Sequence, residues 1–342
     1  MTELLVVGGA LFLAYANGAN DTFKGVATLW GSGVASYRAA LAWATISTLC
    51  GSLAAAVYAD ELIQLFTGRG LVPDAVVGTP AFLFAVAGGA AFTVLGAAIR
   101  GLPLSTTHAL VGGLVGAGFA ATDGAVDFAT LWQSFVLPLA VSPFVPVVAL
   151  AALHAPVRRL VLPSRNGATL VSASSAGPPT AGKVPDLGRR SVDGLHFLSA
   201  GTVGFARGLN DTPKIVGVAL TADAFGLEMT TFAIAAAMTL GGLFQARRIA
   251  ETLSHRLTPL TPARGALANL VTSTVVIVAT HVGAPVSTTH VAVGAITGIG
   301  IAERNANWRL LLGIASAWVL TLPVALILSS AIYATWISIV GP

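Results

Sequence analysis

Apolar positions in this sequence come in long blocks, not in the two-residue alternation of half-buried strands. The blocks cover residues 4–16, 23–34, 39–58, 81–99, 109–121 and 128–153. A second set covers 195–206, 215–225, 229–244, 266–281, 291–302 and 310–339. A helix needs about 20 apolar residues to cross a bilayer. Blocks 4–16 and 23–34 are each too short, so they predict one crossing broken at 17–22. Blocks 195–206 and 215–225 repeat the arrangement, broken at 207–212. Blocks 109–121 and 291–302 are also short and fit either a span or a re-entrant hairpin. Counting each broken pair once gives five crossings in residues 1–153 and five in 194–342, around a connector at 154–193. The predicted fold class is an all-α polytopic membrane protein.

Composition narrows this further. Only 9% of the residues are Asp, Glu, Lys or Arg, against roughly 25% in soluble domains, and the mean hydropathy is +0.83. So few charges could not cover a soluble globule, which excludes a cytosolic enzyme, a secreted scaffold and a disordered chain. Continuous apolar runs exclude a porin-like barrel. A single cysteine, Cys50, excludes a disulfide framework and a cysteine-ligated metal, and no motif asks for a cofactor. The start, Met1-Thr2-Glu3, has no basic n-region and predicts a first crossing instead of a signal peptide.

The net charge of +4 reads as membrane topology and not as nucleic-acid binding. Arg38, Arg100 and the Arg158, Arg159, Arg165 group follow crossings one, three and five. Asp60, Glu61 and Asp74 (with Arg69), then Asp123 and Asp127, follow crossings two and four. Positive loops stay in the cytoplasm. The pattern predicts a protein of the cytoplasmic membrane with both termini outside and the 154–193 connector inside. In the second half, Asp223 and Glu228 fall outside and Arg247, Arg248, Arg256 and Arg264 inside. An odd number of crossings per half predicts two inverted repeats. The connector, with Pro156, Pro163, Pro178 and Pro179, has too little apolar surface for a core and reads as a flexible or regulatory loop.

Two motifs recur in the same order in both halves. Tyr15-Ala16-Asn17-Gly18-Ala19-Asn20-Asp21-Thr22-Phe23-Lys24 returns, 190 residues on, as Phe205-Ala206-Arg207-Gly208-Leu209-Asn210-Asp211-Thr212-Pro213-Lys214. Pro103-Leu104-Ser105-Thr106-Thr107-His108 returns, 182 residues on, as Pro285-Val286-Ser287-Thr288-Thr289-His290. Inverted repeats with interrupted hydrophobic segments in matching places point to a secondary transporter with its site where the halves meet.

Ionisable residues inside a bilayer are functional candidates by default. Asp21, Lys24, Arg207, Asp211 and Lys214 are such residues, and they sum to one positive charge. Local ion pairs, Asp21 with Lys24 and Asp211 with Lys214, are the structural alternative at this i,i+3 spacing. Each Ser-Thr-Thr run follows a proline and precedes a glycine-rich block, the pattern of a capped helix N-terminus. Free N–H groups at such a terminus suit an anion, and two termini could converge on one tetrahedral oxyanion. His108 and His290 are candidate proton relays or structural hydrogen-bonding groups. Gly112, Gly116, Gly294 and Gly298 have the GxxxG spacing of helix packing. Arg207 faces Asn17 in the repeat alignment and has no counterpart.

The doubled Gly-x-Asn-Asp and Pro-x-Ser-Thr-Thr-His motifs resemble the inorganic phosphate transporter (PiT) family, across both membrane halves. The resemblance implies a secondary phosphate carrier of inverted repeats, often a homodimer in the lipid bilayer. It implies that Asn20, Asp21, Asn210 and Asp211, with the adjoining Thr22 and Thr212, line the site. Ser105, Thr106, Thr107, Ser287, Thr288 and Thr289 would contact the anion. Members of that family commonly read Gly-Ala-Asn-Asp-Val-Ala-Asn, with the last Asn near bound sodium. Here Lys24 and Lys214 stand at that position. A fixed ammonium competes with sodium near Asp21 and Asp211, so the sequence predicts coupling to protons over sodium, with Asp21 or Asp211 titrating.

Phosphate at neutral pH carries a proton that a carboxylate can accept, and sulfate carries none. Phosphate is therefore favoured, while sulfate stays open if both lysines neutralise the carboxylates. An intramembrane enzyme built on Ser105 and His108 would lack a third orienting group. A channel would not need broken helices at a repeat interface.

Overall fold

A computed structural model of the chain describes residues 2–161, 187–220, 226–256 and 260–341. Among the described residues there is no β-strand, and the regular elements are helices. The first half holds α1 (Thr2–Asp21), α2 (Ala27–Gly31), α3 (Tyr37–Tyr58), α4 (Asp60–Leu65), α5 (Pro80–Ile99) and α6 (Thr106–Thr122). It continues through α7 (Phe128–Thr130), a π-helical turn, α8 (Leu137–Val141) and α9 (Phe144–Val161). The second half holds α10 (Leu187–Leu220), α11 (Leu227–Gln245), α12 (Arg247–Glu251), α13 (Pro262–His281), α14 (Thr288–Ala302) and α15 (Trp308–Val340).

Six of these helices and the composite segment Phe128–Leu153 are long and apolar enough to cross a membrane, seven in all. The 34-residue α10 has the length, about 51 Å at 1.5 Å per residue, but carries Arg207, Asp211 and Lys214 along it. Large hydrophobic side chains such as Val57, Phe244, Val319 and Ile339 are exposed on the outside, a surface that suits lipid and not water. The chain is a multi-pass membrane protein. Helices α9 and α10 enter the predicted connector from both ends. The rest of it, with Arg165 and the later prolines, lies outside the described residues, as does Asp223, and the side chains of Arg158 and Arg159 are likewise not described.

Neither predicted break lies where the apolar pattern puts it. Helix α1 stays helical through Asn17 and Asp21, and the chain leaves it in the turn 22–26 before α2. In the second half there is no break at 207–212, because α10 runs straight through it. The difference follows from unlike residues at matching positions. The first turn contains Gly25, whose absent side chain lets the backbone close on Gly204; a Cβ there would lie 2.9 Å from its nitrogen. The matching residue is Ile215, which is buried and favours helix over glycine. Pro213 removes one N–H from α10, a loss that packed membrane helices tolerate.

The halves interlock by exchange. Helix α1 packs on α11 of the other half, while its counterpart α10 packs on α3. Likewise α6 packs on α15, and α14 packs on α9. Glycines set these crossings, as their spacing predicts. A Cβ on Gly112 or Gly116 would come within 2.4 or 2.2 Å of the carbonyl oxygens of Leu322 and Leu326. One on Gly294 would come within 2.4 Å of the Pro143 carbonyl oxygen.

Loops expected on one side of the membrane touch each other. The Arg248 guanidinium donates to the Ile99 carbonyl, and Thr252 donates to Gly101 O at 2.9 Å. Arg264 pairs with Glu303 at 2.7 Å, and Asn307 donates to Arg256 O at 3.1 Å. Across the molecule, the Asp127 N–H donates to Leu71 O at 2.9 Å.

Candidate functional site

Two capped helix starts face each other across the half-to-half interface. Ser105 and Ser287 sit in extended backbone just before α6 and α14. Their hydroxyls accept the N–H groups of His108 at 3.1 Å and His290 at 3.3 Å. The capped-terminus geometry thus follows the sequence. Capping leaves the N–H groups of the first helical residues, Thr106, Thr107, Thr288 and Thr289, without a partner in their own helix. The carbonyls of Leu104 and Val286, one residue before the caps, each accept from the lysine of their own half and from a threonine hydroxyl of the other.

Those charged residues form two matching clusters that swap partners between halves. Lys24 donates to Asp21, to Leu104 O at 2.9 Å and to Thr289 of the second half. Lys214 pairs with Asp211 at 3.5 Å and donates to Val286 O at 2.7 Å and to Thr107 of the first half at 2.9 Å. Thr289 itself donates to Leu104 O at 2.6 Å, and Thr107 to Val286 O at 3.3 Å. Asn20 and Asn210 donate to the same two carbonyls, at 2.8 and 3.3 Å. Each lysine therefore sits among a carboxylate, a main-chain carbonyl and a threonine hydroxyl. The local ion pairs that the spacing allows are formed, but each is also part of a contact between halves.

Both carboxylates are surrounded by donors. Asp21 accepts from Asn20 and Lys24 on Oδ1, and from Asn17 at 2.8 Å and Thr106 at 3.1 Å on Oδ2. Asp211 accepts from Asn210 at 3.0 Å on Oδ1 and from Thr288 at 3.3 Å on Oδ2. Asn17 also reaches Asp211 Oδ2, at 3.5 Å, so one amide touches the carboxylates of both halves. All five charged groups are buried, Lys214 and Arg207 to within 1% of full burial.

The two clusters differ at one pair. Arg207 donates to Asn17 Oδ1 at 2.5 Å and Thr22 Oγ1 at 3.2 Å, and its Nε stands 3.6 Å from Asp211 Oδ2 without a hydrogen bond. Thr212, the match of Thr22, donates instead to Ser52 Oγ at 2.7 Å. Asn17 is the site member that motif reading missed. Its four-residue spacing from Asp21, the same as Arg207 from Asp211, was the available signal. His108 and His290 also meet, with ring centroids 4.6 Å apart, each directly following a threonine that a cluster lysine bonds.

The chain resembles several curated phosphate transporters over its full length. A "Probable low-affinity inorganic phosphate transporter" of Rhizobium meliloti (strain 1021) is 29% identical, over 96% of this chain and 94% of that protein. One of the same description from Mycobacterium tuberculosis (strain ATCC 25618 / H37Rv) is 32% identical, over 94% of this chain and 74% of that protein. A solved structure, "The sodium-dependent phosphate transporter", superposes with a TM-score of 0.84 at 22% identity, covering 99% of both chains, which shows a shared fold. The model of the phosphate transporter family matches residues 17–329, a span that holds both copies of both motifs, and the chain belongs to that family.

Proposed function

We propose that this chain is a secondary carrier of inorganic phosphate in the cytoplasmic membrane, driven by protons and not by sodium. The observation that carries the second clause is the placement of Lys24 and Lys214. Hard cations are bound by carboxylate, carbonyl and hydroxyl oxygens. Each ammonium occupies a cage of just that kind, assembled from both halves. A tethered cation thus stands where a free one would otherwise bind. Phosphate binds between the two Ser-Thr-Thr helix starts, near the excess positive charge of Arg207, and exchanges hydroxyl partners with the lysines as it enters.

Family membership and the named relatives support phosphate as the cargo. Both carboxylates are paired with lysines, the condition under which a carboxylate no longer disfavours sulfate, so sulfate belongs in the test. The loop contacts and the exchanged packing support two inverted repeats, 1–153 and 194–342, and the loop charges favour termini outside and the 154–193 connector in the cytoplasm.

Radiolabelled phosphate uptake into proteoliposomes tests the reading, with sodium, pH gradient and sulfate varied independently. Uptake should follow the pH gradient, ignore sodium and be displaced by phosphate better than by sulfate. A requirement for sodium in the unsubstituted chain would overturn it. Replacing both lysines, Lys24→Asn with Lys214→Asn, should open the cages and make uptake respond to sodium.

A further inference from the structure

A proton-driven carrier needs a group that takes the proton, and the aspartates are poorly placed for it. An ionised carboxylate has about four lone-pair positions. On Asp21 four donors fill them, from Asn17, Asn20, Lys24 and Thr106. The set on Asp211 is looser: Asn210 and Thr288 donate to it at 3.0 and 3.3 Å, Lys214 and Asn17 stand at 3.5 Å, and Arg207 lies alongside. A proton on either carboxylate would displace a donor or neutralise the partner of a buried cation, leaving a buried group one partner short.

The facing histidines are arranged differently. His290 is 3% exposed, and its Nε2 has no hydrogen-bond partner. Its Nδ1 lies 3.3 Å from Leu139 O and 3.4 Å from Ser142 Oγ. Trp318 of α15 lies against its ring at 3.9 Å between centroids, a surface that attracts a cation. Across from it His108 is half-buried, with Nδ1 2.9 Å from Ser105 Oγ. With Nδ1 donating to the Leu139 carbonyl, Nε2 keeps a lone pair that no donor occupies, an unusual state for a buried polar atom and one that leaves it open to a proton.

We propose that the coupling proton is held by the facing imidazoles of His108 and His290, one proton per pair, and not by Asp21 or Asp211. This rests on the proton-coupled reading above. Two imidazoles this close cannot both hold a charge, so the pair titrates as a unit. The charged groups nearest it are the lysines. Lys24 is bonded to Thr289, the residue before His290, and Lys214 to Thr107, the residue before His108. Beyond them lie Asp21, Asp211 and Arg207. Together these five carry one net positive charge. A phosphate dianion arriving among them leaves one net negative charge, and a single proton on the histidine pair brings the whole to neutrality. Anion and proton thereby favour each other's binding.

The test is calorimetric titration of phosphate into the purified full-length protein at about pH 8, where phosphate is a dianion, in buffers of different ionisation heat. The unsubstituted protein should take up about one proton per phosphate bound, and His290→Gln close to none. In proteoliposomes His290→Gln should lose at least about tenfold in uptake driven by a pH gradient. Because anion and proton favour each other, phosphate binding by His290→Gln should weaken without being lost. No proton uptake by the unsubstituted protein would sink proton coupling itself. Uptake that survives in His290→Gln would sink only the histidine assignment and return the proton to an aspartate or to phosphate. Loss of phosphate binding in both His290→Gln and His290→Asn would also overturn the assignment, since the ring would then belong to the anion site.

Discussion

At the scale of single residues the site depends on hydroxyls that serve two masters. Thr289 accepts from Lys24 while donating to Leu104 O, and Thr107 does the same between Lys214 and Val286 O. Removing either hydroxyl leaves an ammonium and a carbonyl each one partner short, inside the protein. Thr107→Val and Thr289→Val, which keep the side-chain shape, should each weaken phosphate binding by about 1–2 kcal/mol, and by similar amounts. Titration of the two variants checks this; a large effect in one and none in the other would mean that the clusters are not equivalent. The lysine–aspartate spacing was visible in the sequence, since it is local. The lysine–threonine exchange was not, because its partners lie 265 and 107 residues apart and no local pattern encodes which half meets which.

At the scale of helices, the fold is made by backbone approach. Helices α3 and α10 cross where a Cβ on Gly51 would come within 1.9 Å of the Phe205 carbonyl oxygen. Gly313, on α15, has nothing within 4 Å of that position. Gly51→Ala should therefore destabilise the protein by about 1–3 kcal/mol or more through overpacking, whereas Gly313→Ala should be neutral or mildly stabilising because alanine favours helix. Thermal unfolding in detergent compares the two. The apolar blocks predicted the helices and the packing role of their glycines well. They misplaced both breaks for one reason. A polar residue inside an apolar stretch looks like an interruption, yet Asn17, Arg207 and their neighbours find partners through their side chains and the helix runs on past them, even across Pro213 in α10.

Across the whole molecule, opposite faces should be reached by opposite sets of loops. Cys50 is the single native cysteine and is exposed, so Cys50→Ser provides a background for labelling. In it, a cysteine at Asp74 or Asp123 should react with an impermeant reagent from outside the cell, and one at Arg38 or Arg304 only after the membrane is opened. Reaction of both sets from one side would refute the alternating topology. Charge sorting along the sequence supplies this expectation, because loop charge is set by which side a loop must stay on.

The mismatch at positions 17 and 207 has a consequence for the working cycle. Two oppositely oriented halves of identical sequence would make the outward-open and inward-open forms equal in free energy when no gradient is applied. Whatever resting preference the carrier has must come from positions where the halves differ. Within the buried charge cluster the pair that differs in charge is Asn17 and Arg207. If the chain works as an inverted-repeat carrier, the same guanidinium that leaves the cluster with its surplus charge would therefore also bias, at that site, which side of the membrane the empty form faces.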